Sequence, residues 1–350
     1  MHEYKSIPFC VNITMIRRCS LLKTCKLNTS KVSCLNSHVY PVQRLCPSFR
    51  PLATVAELPS VLKRTTREIA ARACSTQLLL TRWALEASTL SETTPSSKER
   101  AQAGYAALQE ALSKTTIMEH MTLNEKTLLQ KQFGTWDIAT DIVAIQNRWE
   151  SFGMLIWALC IVKEIPEPPQ SFPHEQLYQA TAIIPGFPNT IDMFLDYFTT
   201  GEGSKASHII SKTDFEAVVD KTEAWYWRSK AQTVLELKRG LQSDSPEITQ
   251  ARQKVTAGLR AVMENIEKAI SQASQRALAD GLISKSVNDD FCVGNNTAYK
   301  DMDDHGLRDL ERMSAARLAA LGWLVGIEEW DYDPSNVKFI NPLGSLWKPQ

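Results

Sequence analysis

The chain has 350 residues, of which 43% are hydrophobic and nine are tryptophans, so it can form a sizeable core and is not a disordered chain. Its 39 basic and 39 acidic residues are unevenly distributed: residues 1–53 hold eight Lys or Arg and one acid, Glu3. The remainder has 31 basic and 38 acidic residues, a net charge of −7. Binding a phosphate backbone needs clustered cations, so we expect no nucleic-acid partner.

The first 52 residues have the composition of a mitochondrial transit peptide. From Met15 onward they are rich in Arg, Lys, Ser and Thr, and no acid occurs before Glu57. Such a basic segment responds to an inside-negative membrane potential. Arg50 followed by Pro-Leu-Ala resembles a processing site, which predicts a mature start near Ala53 and import into the matrix. The alternative is a basic tail on a cytoplasmic protein, and the start codon, Met1 or Met15, is left open.

The cysteines follow the same division. Five of the eight lie in the first 46 residues, and only Cys74, Cys160 and Cys292 occur in the body. A disulfide framework would need regularly spaced pairs within the folded part, and none is visible. The pattern indicates a reducing compartment.

Most apolar residues after Pro59 recur at spacings of three and four, which predicts helices. The first helix is expected over 60–88, and a second runs to Leu112 with Ser96 or Ser97 as its N-cap. The first helix has six candidates for burial, namely Val61, Ile69, Leu78, Leu79, Trp83 and Leu85.

The pattern continues with helices at 124–133 and from Asp137 through Val162, where a proline-rich segment stops any helix. A crossing loop is expected from there to Pro188. Between Glu150 and Lys163 only twelve uncharged residues occur, too few for the ~20 that span a bilayer as a helix. We therefore expect this segment to be a core helix and the chain to have no transmembrane segment.

The pattern of the sequence after Pro188 predicts two long helices, a hairpin and a final helix. The long helices are expected over 213–239, with Gly240 as the stop, and over 245–280, capped by Ser245 and closed by Gly281. An Asn-Asn turn predicts a small β-hairpin near 289–302, and the last helix is expected over 306–326. The fold class is therefore all-α, a single multi-helix domain over 53–335 with one small hairpin, followed by an irregular tail, 336–350.

Three stretches, in this order, carry a family resemblance: "NRWESFGMLIWALCIVKEIPEP", "ISKTDFEAVVDKTEAWYWRSKA", and "DDFCVGNNTAYKDMDD" continuing into "MSAARLAALGWLVGIEEWDYDP". Together they resemble the family catalogued as domain of unknown function 4272. The matching positions are Trp149, Glu150, Leu155, Trp157, Ala158, Leu159, Trp227, Arg317, Leu321, Trp323, Leu324, Trp330 and Asp331.

This sequence departs from the family pattern in the first stretch, where Glu150 follows Trp149 with one residue fewer between them. It departs again in the second stretch, where Tyr226 stands at a position that is often His and the Arg is displaced to Arg228. The resemblance covers about 65–335 and implies a mostly helical domain. It supplies no activity, cofactor or partner.

The acidic stretch near 289–309 is the best candidate for a metal site. Its spacing mimics the start of an EF-hand loop, but position twelve is Arg312 instead of the Glu that calcium needs. We therefore expect no metal, and Asp303 and Asp304 are expected to cap the last helix. The weaker alternative is a site formed by Asp301, Asp303, Asp304 and His305.

Common catalytic motifs are missing from the sequence: no glycine-rich phosphate loop, nucleophile elbow, Cys-x-x-Cys pair or paired-histidine zinc motif occurs. We expect no cofactor, and whether the protein is an enzyme is left open.

Charged residues beside tryptophans suggest a ligand site. If their helices meet, Glu150, Trp227, Arg228 and Arg317 would line one aromatic and charged pocket for a small anionic ligand. The alternative is structural: Arg and Glu pair with each other while the indoles fill the core.

Two functions follow from these features. The first is a non-catalytic accessory protein that binds an unidentified protein partner, through the helix predicted over 245–280. The second is a small-molecule binding protein or enzyme that uses the aromatic and charged pocket. The sequence predicts no oligomeric state.

Overall fold

The computed structural model describes residues 62–91, 94–181, 183, 189–205, 208–242, 252–253 and 255–341. The predicted transit peptide lies outside them. The helices are α1 (Thr66–Ser91), α2 (Pro95–Lys114), α3 (Leu123–Gln130), α4 (Val143–Gln146), α5 (Arg148–Ala158), α6 (His174–Ala180), α7 (Asn189–Thr199), α8 (Lys212–Gly240), α9 (Ala257–Ala279) and α10 (Asp304–Leu324). Three short strands, β1 (Ser286–Val287), β2 (Asp290–Val293) and β3 (Thr297–Ala298), complete the fold. The mostly all-α prediction is confirmed.

Two helices form the centre of the core. Helix α1 packs against α2, α5 and α7, while α5 also packs against α10. Every residue of α5 is buried, as expected for a helix that is apolar on all sides after its first turn; the polar residues of that turn, Arg148, Glu150 and Ser151, are hydrogen-bonded. The prediction of a core helix there is confirmed. The predicted apolar stripe of α1 is buried as well, at Ile69, Leu78, Leu79, Trp83 and Leu85; Val61 lies outside the described residues.

The second layer is formed by α8, which packs against both α9 and α10. Ser211 caps α8 by accepting a hydrogen bond from the backbone N–H of Asp214, and the helix ends at Gly240. Helix α9 begins after Thr256, and Gly281 just beyond its end has a left-handed φ of 70°. The predicted cap Ser245 lies outside the described residues.

Several predicted helix boundaries are wrong. Helix α2 begins at Pro95, after Thr94, instead of after Ser96 or Ser97, because proline is well suited to the first helical position. The helix predicted through Val162 ends at Ala158, because Cys160 adopts a left-handed φ of 56° that cannot continue a right-handed helix.

The same predicted helix is also interrupted near its beginning. A π-helical turn spans Ile138–Ile142, and Asp137 caps it by accepting hydrogen bonds from the N–H groups of Ala139 and Thr140. Helices α4 and α5 then follow as separate segments. Helix α6 lies within the segment expected to be a loop, and α7, with Ile191, Leu195 and Phe198 buried, was not predicted.

The predicted hairpin is present as β2 and β3, in antiparallel register with Cys292 opposite Ala298. Gly294 and Asn296, both with positive φ, form its turn. Strand β1 lies just before the predicted range and pairs with the other edge of β2. In the part of the chain that the structure describes, no helix is long and apolar enough to cross a membrane.

Candidate functional site

The structure brings two of the four predicted pocket residues together. Glu150 on α5 and Arg317 on α10 form an ion pair with Nε and Oε2 at 2.8 Å, and their side chains are 7% and 3% exposed. Arg317 also donates to the carbonyl oxygens of Pro166 and Gln170, at 2.7 and 2.9 Å. Glu150 accepts a hydrogen bond from the N–H of Phe172. The pair therefore fixes the loop 159–173 to the core.

Arg228 belongs to a different cluster. Its Nε and Nη2 donate to Oδ1 and Oδ2 of Asp290 on β2, at 2.6 and 2.7 Å. The same Nη2 donates to Oε1 of Gln232 at 3.0 Å. Its guanidinium lies 4.3 Å from the ring centre of Tyr299. Arg228 and Asp290 are both fully buried, so this pair anchors the sheet to α8. The structural alternative drawn from the sequence, a pair between Arg and Glu, corresponds to Glu150 and Arg317, while Arg228 is paired with an Asp.

Trp227 lies on α8 next to Arg228 and is half-buried, packed against the apolar residues between α8, α9 and the sheet. Arg317 lines the cavity between α8, α10 and the loop 159–173, whereas Glu150, Trp227 and Arg228 do not. The four predicted side chains therefore do not line one cavity.

A cavity of about 420 Å³ lies between α8, α10, the end of α5 and the loop 159–173. This volume is within the range of small-molecule sites. Two indoles, two lysines, one arginine, two hydroxyls, one carboxylate and an apolar remainder line it: Trp157, Trp225, Lys163, Lys221, Arg317, Thr222, Ser314, Asp214, Ile165, Pro166, Pro168, Ile210, Ala217 and Val218.

One face of α8 provides much of this lining. Asp214, Ala217, Val218, Lys221, Thr222 and Trp225 recur at spacings of three and four, which places them in one stripe along the helix. Sequence reasoning missed this stripe, although its spacing was readable. The pattern does not show that the loop opposite leaves a space there.

Trp225 lines the cavity and is 5% exposed, and its indole N–H has no hydrogen-bond partner among the described residues. Buried donors of this kind are nearly always satisfied in proteins, by a protein group, a water or a ligand. The nitrogen itself has almost no accessible surface, so Trp225 contributes ring surface to the lining and no donor that reaches into the cavity.

The accessible positive charge of the cavity lies in the solvent-exposed part of its lining, here called the mouth. Arg317 is neutralised by Glu150, whereas Lys163 is exposed to solvent. Lys221, 33% exposed, forms an ion pair with Glu167, 53% exposed, which stands on the loop between Pro166 and Pro168. Asp214, the lining carboxylate, accepts a hydrogen bond from the hydroxyl of Ser211.

A second cavity of about 440 Å³ lies near the beginning of α1. Here arginines already lie over the indoles: the guanidinium carbon of Arg64 is 4.9 Å from the ring centre of Trp323, and that of Arg72 is 5.2 Å from the ring centre of Trp330. Glu125 joins Arg72 to the indole N–H of Trp330, at 2.6 and 2.9 Å. Most of these groups are paired with one another, although the Nε of Arg72 has no hydrogen-bond partner among the described residues, and the arrangement forms a clamp between α1, α3 and the segment after α10.

Two of the four proposed metal ligands have other roles. Asp303 caps α10 by accepting a hydrogen bond from the N–H of Gly306 at 2.8 Å, and His305 pairs with Asp309 at 3.0 Å. Within the described ranges, no three His, Cys, Asp or Glu side chains are gathered as metal ligands, so Asp301, Asp303, Asp304 and His305 do not form such a group.

The chain was compared with protein-family models, curated proteins and solved structures, and none of them matches it. The resemblance to domain of unknown function 4272 stays a prediction.

Proposed function

We propose that this protein binds a small anionic molecule in the cavity between α8, α10 and the loop 159–173. The observation that carries the proposal is the composition of the lining: two buried indoles, Trp157 and Trp225, lie below a mouth that holds Lys163 and Lys221. An apolar body with a few convergent polar groups is the usual composition of a small-molecule site. Of the four residues in the pocket proposed from the sequence, Arg317 alone lines this cavity, together with the indoles and lysines just named.

Binding is favoured over catalysis by the state of the polar groups in the lining. The hydroxyl of Ser314 donates to the carbonyl oxygen of Leu310 at 2.8 Å. Asp214 is bound by Ser211, at the start of α8. A nucleophile and its base would need to contact each other, whereas both of these groups are engaged with their own helices.

A role as an accessory protein that binds a partner through α9 has less support. The exposed large apolar residues of α9 are Val262 and Leu278, 51% and 44% exposed. They are sixteen positions apart, which is about 24 Å along a helix. An interface would need a contiguous apolar patch, and these two residues do not form one.

Calorimetric titration of the full-length protein tests the proposal. Naphthoate, an aromatic carboxylate, is expected to bind with a stoichiometry of one. Ala217 is exposed and lines the cavity, so Ala217→Trp should fill the space and weaken binding at least tenfold. Ala261→Trp, on the exposed face of α9, is the matched control and should bind like the unmodified protein. Equal affinity of both variants for naphthoate would contradict the proposal.

We also propose that the protein acts in the mitochondrial matrix, on the composition of residues 1–52 alone. A tagged full-length protein should enter mitochondria, and deletion of these residues should leave it in the cytoplasm. A full-length protein that stays in the cytoplasm would favour the cytoplasmic alternative, and a deletion variant that still enters mitochondria would contradict the role of residues 1–52 as a transit peptide.

A further inference from the structure

We propose that the ion pair between Lys221 and Glu167 is an occupied carboxylate subsite, and that the carboxylate of a flat aromatic acid replaces Glu167 there when the ligand binds. This inference rests on the proposed function, because it specifies the ligand class of the same cavity. It assigns Glu167 the role of an internal competitor and Lys221 the role of the residue that selects for an acid.

The backbone on both sides of Glu167 is held in place. Arg317 donates to the carbonyl oxygens of Pro166 and Gln170, and the N–H of Gln170 donates to the carbonyl oxygen of Glu167 at 2.8 Å. The prolines at 166 and 168 further restrict the backbone. The loop therefore presents the Glu167 carboxylate to Lys221 while its backbone stays fixed to the core.

The contact itself is easy to exchange. Glu167 is about half exposed and Lys221 is one-third exposed, so water can solvate either group when the pair opens. Solvent-exposed ion pairs of this kind are worth at most ~1 kcal/mol, which corresponds to roughly fivefold in an equilibrium constant. Because Lys221 also lines the cavity, a ligand carboxylate can take the place of Glu167 without movement of α8.

The remaining lining fits the body of an aromatic acid. Trp157 and Trp225 line the cavity, and although they are only 4% and 5% exposed they give its lining an aromatic character, which favours contact with another ring. Lys163 at the mouth adds a second positive charge that attracts the acid.

Titrations with three probes test this assignment: naphthoate, its neutral amide naphthamide, and the saturated analogue decalin carboxylate. Glu167→Gln should tighten naphthoate binding, by up to roughly fivefold, because it removes the competing carboxylate and leaves Lys221 free. Lys221→Met should weaken naphthoate binding by a similar or larger factor. Neither substitution should change the affinity for naphthamide, and decalin carboxylate should bind more weakly than naphthoate.

Glu202→Gln is the matched control, because Glu202 forms an exposed ion pair with Lys205 outside the cavity lining. It should leave every affinity unchanged. If naphthoate binds and Glu167→Gln leaves its affinity unchanged or lowers it, the subsite assignment is overturned while the proposed cavity function stands. If no probe binds to any variant, both proposals are overturned. Equal binding of naphthoate and decalin carboxylate would overturn the aromatic part of the assignment.

Discussion

The ion pair between Glu150 and Arg317 should contribute more to the stability of this protein than any exposed pair. At a separation of 2.8 Å and an effective dielectric constant of ~20, the attraction between the two charges is about 6 kcal/mol before desolvation is counted. Glu150→Gln removes this attraction and leaves the guanidinium of Arg317, 3% exposed, without a counter-charge. The carbonyl oxygens of Pro166 and Gln170 still accept its hydrogen bonds and limit the cost.

We therefore expect Glu150→Gln to lower the free energy of unfolding by about 3 kcal/mol, near the lower end of the range for a broken buried pair. Urea unfolding followed by circular dichroism measures this change. Glu110→Gln is the control, because Glu110 pairs with Lys114 at the surface with both side chains more than half exposed, and it should cost at most ~0.5 kcal/mol.

A double-substitution cycle separates the pair from the rest of the environment. Glu150→Gln combined with Arg317→Gln should show a coupling energy of at least about 1.5 kcal/mol, because the two charges are in direct contact. If the free energy of unfolding of Glu150→Gln lies within about 0.5 kcal/mol of that of the unmodified protein, or if the effects of the two substitutions are additive, the pair makes no such contribution to stability.

Two further changes in stability are expected from the same denaturation assay. A Cβ on Gly153 would lie 2.5 Å from a ring carbon of Phe172, which is buried, so Gly153→Ala should lower the free energy of unfolding by about 1–3 kcal/mol. At Gly258 no atom lies within 4 Å of an added Cβ, so Gly258→Ala should raise the free energy of unfolding by up to about 1 kcal/mol. Equal effects of the two substitutions would contradict the packing argument. Burial raises the pKa of Glu223, so the folded state binds its proton more tightly than the unfolded state and stability falls as pH rises from the ordinary pKa of this carboxyl through the raised one. The stability of Glu223→Gln relative to the unmodified protein should therefore be greater near about pH 7 than near about pH 4. The opposite trend would show that the hydrogen bonds from the N–H groups of residues 340 and 341 favour the charged carboxylate.

Much of the helical fold was readable from the sequence, because burial of one or all faces leaves a pattern in the positions of apolar residues. Helix α1 and the entirely buried α5 are examples. Interruptions within a helical pattern were not readable, since the π-helical turn before α4 and the left-handed Cys160 after α5 depend on backbone hydrogen bonding. Helix α6 was hidden for a different reason: it starts directly after Pro173, within a segment whose prolines indicated a loop.

The candidate site was predictable only in part, because charged residues choose partners by tertiary position. Glu150 and Arg317, 167 positions apart, are in contact, whereas Arg228 pairs with Asp290, a residue of the predicted hairpin that was not among the predicted pocket residues. The spacing of Lys221 and Trp225 on α8 indicates a shared face. Whether that face is packed or borders a cavity depends on the loop opposite it, and the sequence pattern of α8 contains no information on that loop.

The most direct test of the account is a crystal structure of the full-length protein with naphthoate. We expect one molecule in the cavity, with its ring against the indoles of Trp157 and Trp225 and its carboxylate within hydrogen-bonding distance of Lys221, and with Glu167 turned toward solvent. Naphthoate bound elsewhere, with the cavity empty and Glu167 still paired with Lys221, would contradict the account.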